Sequence, residues 1–269
     1  MKHAICLLLA ATLPHLQANP LAPLTSCPTD TATTIVKQHL LLDNVSLPQL
    51  TALGYKPLIA DSLNGWSIHN DKPEVTFTLK DGVISGKGED LKGNSFLYTT
   101  AEYDNYLLYF EFRFDHRKGN SGLMYHSKYN AANKFAGIQY EMDPGDKMMG
   151  AINRQWTGLL YAENLGGWHY PNRDGAGGKE KATQETMLKL SKEGTQSLNP
   201  TGWNAGFIRI RGNEIQTWLN GQLRTDYTWK GPDFPGKGSI ALQIHGGKSC
   251  AVSWRNIYIL PIGSENNSK

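Results

Sequence analysis

Two dipeptides constrain this chain more than any other feature. An Asp-Gly at 81–82 in TFTLKDGVISGK and an Asn-Gly at 220–221 in QTWLNGQLRTDY interrupt runs of alternating apolar and polar residues. Both pairs supply the positive φ angles of a two-residue type I′ turn, so each marks an antiparallel hairpin. Further strand candidates lie at 107–115, 122–126, 137–143, 158–161, 207–211, 239–244 and 251–260. Alternation is legible within them: Phe110, Phe112 and Phe114 point one way, and Glu111, Arg113 and Asp115 the other. With no βαβ rhythm and no internal repeat, the pattern predicts an all-β chain, a sandwich or jelly roll of two antiparallel sheets. One helix is expected before the β region, over 29–43, and Pro48 is expected to end this short N-terminal helical extension. An insertion at 168–199 is Gly-rich and then carries a helical run at 181–192. It reads either as a rim or lid over a site or as a mobile surface loop.

The run GIQYEMD puts Gln139, Glu141 and Asp143 on one face of a strand and Ile138, Tyr140 and Met142 on the other. Two carboxylates and an amide side by side are costly to bury, because the charges repel and lose water. Something polar must face them, and a sugar, with its many hydroxyls, is the obvious candidate. The alternative is the solvated face of an antiparallel sheet.

Lys2 and His3 followed by the apolar stretch 4–13 have the length of a signal peptide and are too short to span a bilayer, which predicts cleavage near Ala18 and export to the periplasm or beyond. LTSC at 24–27 resembles a lipobox but is separated from the apolar core, so ordinary secretion is preferred to a lipid anchor at Cys27. The organisation expected is a leader at 1–18, an extension at 19–50, one domain at 51–263 and a tail at 264–269. Without the leader, Cys27 and Cys250 remain, either as a disulfide stapling the extension to the last strands or as unrelated thiols. A net charge of +3, without a basic tract interleaved with aromatics, argues against a nucleic-acid partner. No zinc-type spacing and no phosphate-binding glycine loop occurs, so no cofactor and no metal site are expected, although a structural calcium would leave little trace.

Several segments together resemble the 3-keto-disaccharide hydrolase family: YKPLIADSLNGW, LKDGVISGKG, FLYTTAEYDNYLLYFEFR, GNSGLMYHS, TGLLY, WNAGFIRIRGNEIQTWLNG, and GSIALQIHG with SWRNIYI. Their order and spacing match across about 200 residues, within the size of a single domain. The resemblance implies a concanavalin-like jelly roll and an exported enzyme acting on glycosides already oxidised at C3. A C3 ketone acidifies the C2 proton, a base removes it, the C1 substituent leaves by β-elimination, and water re-adds. Such a route needs a base near C2, donors for the enolate oxygen and a group that assists the leaving oxygen. The chain departs from the family pattern at two places: Gln139 precedes Glu141 where the family reads Glu then Gln, and His126 replaces an Arg.

Glu141 and Asp143 are the expected acid–base pair, since nearby carboxylates push their proton affinities apart; their order of roles stays open. His245 shares a strand face with Gln243 and titrates where acid–base work is done, so it joins them as a catalytic candidate. Arg154 is expected to hold an enolate or a hydroxyl pair. Tyr161, Trp168 and His169 are expected to form a stacking and hydrogen-bonding wall, with Gln139, Gln243, Asn120 and His126 as further substrate contacts. Two other readings stand beside this one. EMDPGD at 141–146 resembles the strand of retaining β-glucanases, which use two carboxylates about 5 to 5.5 Å apart. A noncatalytic carbohydrate-binding module on the same sandwich is the third.

Overall fold

The computed structural model describes residues 47–176 and 179–263. The leader, the helix expected at 29–43, Cys27 and the tail at 264–269 lie outside the described residues. The chain begins with helix α1 (Leu47–Ala52) and continues through strands β1 (Lys56–Pro57), β2 (Trp66–His69), β3 (Val75–Lys80), β4 (Val83–Leu91), β5 (Ser95–Thr99), β6 (Tyr106–Phe114), β7 (Ser121–Tyr129) and β8 (Phe135–Met142). Next come β9 (Met148–Met149), β10 (Ile152–Asn153), β11 (Leu160–Glu163), β12 (Gly167–Tyr170) and helix α2 (Gln184–Ser197). The chain closes with β13 (Asn204–Arg211), β14 (Glu214–Leu219), β15 (Gln222–Thr228), β16 (Ser239–Ile244) and β17 (Gly247–Pro261).

Two antiparallel sheets form a sandwich. One runs β15-β14-β13-β6-β17-β4-β3, with β1 added on β17, and the other runs β12-β11-β8-β7-β16-β5-β2. Both expected hairpins form: Lys80 pairs with Val83 and Leu219 with Gln222, and Asp81, Gly82, Asn220 and Gly221 all have positive φ. Phe110, Phe112 and Phe114 from one sheet meet Ile138, Tyr140, Leu242 and Ile244 from the other in the main core. Alternation on both inner faces therefore builds the interior, and the odd-numbered residues of β8 and β16 are left on the outer face of their sheet.

Pro48 opens a helix instead of closing the extension. It stands in the first turn of α1, where its missing N–H is not needed, and Leu50 packs with Tyr109, Phe207 and Trp218 outside the eight-stranded sheet. The start of the insertion is strand β12, not loop. Its helix begins at Gln184, capped by Thr183, whose hydroxyl accepts from the Thr186 N–H. No helix among the described residues is long and apolar enough to cross a membrane.

Candidate active site

Gln139 and Glu141 occupy the outer face of the seven-stranded sheet, and both are buried. Their burial is compensated locally. Asn120 donates its side-chain N–H to Glu141 Oε1 at 2.6 Å, Gln139 Nε2 donates to Oε2 at 2.9 Å, and the Arg154 guanidinium stands 3.6 Å from Oε1. Gly122, opposite Glu141 on β7, makes room for this: a Cβ there would lie 2.4 Å from Gln139 Cδ. Desolvation, helped by the Asp143 charge, pushes Glu141 up to about 7, against the pull of Arg154, Asn120 and Gln139. A carboxyl group that titrates near neutrality is suited to moving a proton.

Asp143 corrects the expected acid–base pair. The strand ends at Met142, and the Asp143 side chain is fully buried, where Oδ2 accepts from Arg154 Nε at 2.6 Å and Oδ1 accepts from the Gly145 N–H at 3.0 Å. It does not line the cleft that Glu141 faces; it holds the arginine that does. The Arg154 guanidinium also lies 5.0 Å from the Trp156 ring and 5.5 Å from the Trp168 ring, and Trp156 Nε1 donates to Ser191 Oγ on α2. Helix α2 thus braces the arginine from behind. The insertion contributes Trp168 and Arg173 to the cleft, and its helix contributes none of the lining. The glucanase-like motif is broken as well, because Asp146 is exposed beyond the turn at Pro144 and Gly145 and lies off the cleft.

The cleft has a volume of about 280 Å³. Gln139, Glu141, Asn120, Gln243, His245, Arg154, Tyr161 and Trp168 line it, so eight side chains expected from the sequence converge there. At the rim, His245 Nδ1 lies 2.6 Å from the Gly246 carbonyl. A carbonyl only accepts, so Nδ1 carries the hydrogen and Nε2 keeps its lone pair. Partial desolvation and the Lys147 charge hold the imidazole below its ordinary value, against the Gly246 bond. Gln243 is fully buried, and among the described residues neither end of its amide has a hydrogen-bond partner, nor does Gln139 Oε1. Buried polar groups are almost always hydrogen-bonded, so these amide atoms have bonding capacity left for a water or a ligand hydroxyl.

His126 and His169 do not join this group. A bulge in β7 between Tyr125 and Lys128, with His126 at φ 51°, breaks the alternation and turns the imidazole toward Tyr106, Tyr125 and Phe234. There Nε2 donates to the Asp104 carbonyl at 2.6 Å, and burial lowers the group to about 4. His169 follows Trp168 on β12 and so faces the other way; its ring stacks on Trp229 with centroids 4.0 Å apart. Four lining residues were not expected as catalytic or substrate-binding residues: Asn94, Lys147, Glu163 and Arg173, the last lying in the insertion that reads from the sequence as a rim or lid or as a surface loop. Glu163 lies two residues beyond Tyr161 on β11, a spacing that alternation alone could have flagged. The other three sit on connections, where side-chain direction has no period.

Among the described residues no group of three or more His, Cys, Asp or Glu is placed to hold a metal ion. Cys250 is buried, with its sulfur 3.1 Å from the Asn120 carbonyl, and burial raises the thiol to about 11.

The family model of the 3-keto-alpha-glucoside-1,2-lyase-like domain matches residues 54–260. The chain belongs to this family. Among solved structures, a candidate glycosyl hydrolase from Parabacteroides distasonis superposes with a TM-score of 0.55 at 19% identity, covering 82% of this chain and 99% of that one. A second candidate glycosyl hydrolase from the same organism gives 0.45 at 21% identity over 77% and 99% of the two chains. The carbohydrate binding module CBM66 from Bacillus subtilis gives 0.41 at 14% identity over 72% and 93%. The first supports the sandwich fold. No curated protein matches the chain. Family membership and a polar cleft with a neutral-titrating carboxyl group together indicate an enzyme acting on carbohydrate.

Proposed function

We propose that this protein cleaves the glycosidic bond of 3-keto-glycosides by removing the C2 proton, expelling the C1 substituent and re-adding water. The observation that carries the reading is Glu141, a carboxyl group raised to about 7 and held on both oxygens by neutral amides. Above that pH it is ionised, yet its burial makes it a stronger base than an ordinary carboxylate, as a ketone-activated C–H requires. Arg154 has one edge fixed on Asp143 and turns the rest of its fork toward the cleft, where it would stabilise the enolate oxygen at C3. Gln243 and Gln139 would hold the ring hydroxyls through their unpartnered amide atoms. His245 would accept a hydroxyl hydrogen bond at Nε2. A cleft of about 280 Å³ suits a single oxidised sugar ring better than a polymer. We also propose export, from the basic and then apolar leader.

Incubation with a 3-keto-β-glucoside and with 3-keto-trehalose in D₂O tests the reaction. Cleavage that places deuterium at C2 of the product, above the enzyme-free control, is expected. Cleavage without C2 deuterium would mean direct displacement, and binding without turnover would make the protein a carbohydrate-binding module; either overturns the proposal.

A further inference from the structure

The elimination needs a proton at the departing oxygen, and neither Glu141 as carboxylate nor His245 with a bare Nε2 supplies one. We propose that the Tyr161 hydroxyl is the proton donor to the leaving glycosidic oxygen, an inference that rests on the elimination reading above. Tyr161 pairs with Gln139 across β11 and β8, so it stands beside the base on the same sheet face. It brings the one hydroxyl group among the residues lining the cleft. Its ring is fixed edge-on against Trp168, with centroids 5.2 Å apart. The hydroxyl has no hydrogen-bond partner among the described residues and is half-buried at the cleft wall.

The charges around the phenol are suited to a donor. Partial burial and the carboxylates of Glu163, Glu141 and Asp174 hold it above its ordinary value, against the opposing Arg173, so at neutral pH it carries its proton. Part of that hold depends on Glu141 being ionised. When Glu141 takes the C2 proton it becomes neutral, and the phenol becomes the stronger acid at the moment the C1–O bond must break.

The step balances. The C2–H bond breaks to Glu141 and its electrons form C1=C2. The C1–O bond breaks with its pair on the departing oxygen, which takes the Tyr161 proton and leaves as an alcohol. In the return, the tyrosinate takes a proton from water as the water oxygen bonds to C1, and Glu141, its proton by then exchanged with solvent, protonates C2. Both groups end as they began, and the net change is hydrolysis.

Tyr161→Phe keeps the ring against Trp168 and removes only the hydroxyl, so an unchanged melting temperature checks the fold. General acid catalysis contributes about 10² to 10⁴-fold, and a leaving group stable as an anion does not need it. With methyl 3-keto-glucoside, kcat/KM is expected to fall by about 10² to 10⁴-fold, while with 4-nitrophenyl 3-keto-glucoside it falls less than about tenfold. In D₂O the variant should still exchange the C2 proton of uncleaved methyl 3-keto-glucoside, because the base is intact. Equal losses on both glycosides, or full activity on the methyl compound, would overturn the assignment. Failure of the wild-type protein to turn over either 3-keto-glucoside would instead sink the elimination reading, and this assignment with it.

Discussion

Replacing Glu141 by Gln tests the site through stability as well as rate. Glu141 is carried at about 7 in the folded protein against an ordinary 4.5, so folding disfavours its ionised form by about 3 kcal/mol. The sign follows from proton uptake. Between those two values the folded state binds more protons than the unfolded state, so this group stabilises the fold at low pH and its contribution is lost as pH rises toward 7. Most of the change falls between about pH 5 and pH 8. The introduced glutamine does not titrate, so the gap between wild type and variant must change across that window by about 2 to 3 kcal/mol in the variant's favour. A pH-independent cost offsets it, because the new amide N–H₂ meets Asn120 Nδ2 or Gln139 Nε2, both of which now donate, and one of these amides has to turn its oxygen over to accept. Urea denaturation of both proteins at about pH 5 and pH 8 separates the two effects, since only the first changes with pH. The same variant should lose turnover of 3-keto-glycosides, and the wild-type rate should fall on the acid side of about pH 7. Parallel stability profiles for the two proteins would refute the reasoning, because they would mean that Glu141 is not desolvated.

Asp143→Asn removes the charge that helps to raise Glu141 and frees Arg154 to pair with it, so the acid limb of kcat/KM should move below about pH 7; a limb that stays in place would disprove the coupling. Arg224 is buried beneath α2, where Nε donates to the Thr157 carbonyl at 2.9 Å and NH2 donates to the Leu190 carbonyl at 2.8 Å. Arg224→Met should cost about 3 to 5 kcal/mol in urea denaturation and speed amide exchange in α2, because it strands buried carbonyls and Glu193. A loss below about 1 kcal/mol would show that the helix is held by its apolar contacts alone.

How far the sequence could be read depended on whether a residue sat on a regular strand. The two-residue turns and the Phe110, Phe112, Phe114 period depend only on local sterics and on burial, and both are present in the folded chain. The same period put Gln139 and Glu141 on one face of their strand and Gln243 and His245 on one face of another, and all four line the cleft. It failed where the backbone leaves the strand. The bulge at His126 costs the ladder one register step, and it turned an expected cleft residue inward. Asp143, one residue past the end of β8, no longer follows the alternation and pairs with Arg154.

The failure at Asp143 bears on the chemistry. Two carboxylates on one strand would have shared the proton transfers between them. With Asp143 turned away from the cleft, Glu141 has Arg154 as its close ion partner, and its high proton affinity comes from burial first and from the Asp143 charge second. A base made by desolvation responds to whatever fills the cleft. A sugar ring that displaces solvent from the cleft raises Glu141 further, whereas the enolate it forms is held by Arg154 on the opposite side of the charge balance. The acid limb measured as kcat should therefore lie at higher pH than the limb measured as kcat/KM, which reports the free enzyme. Coincident limbs would mean that substrate binding leaves Glu141 as wet as before, and the base would have to be sought at His245.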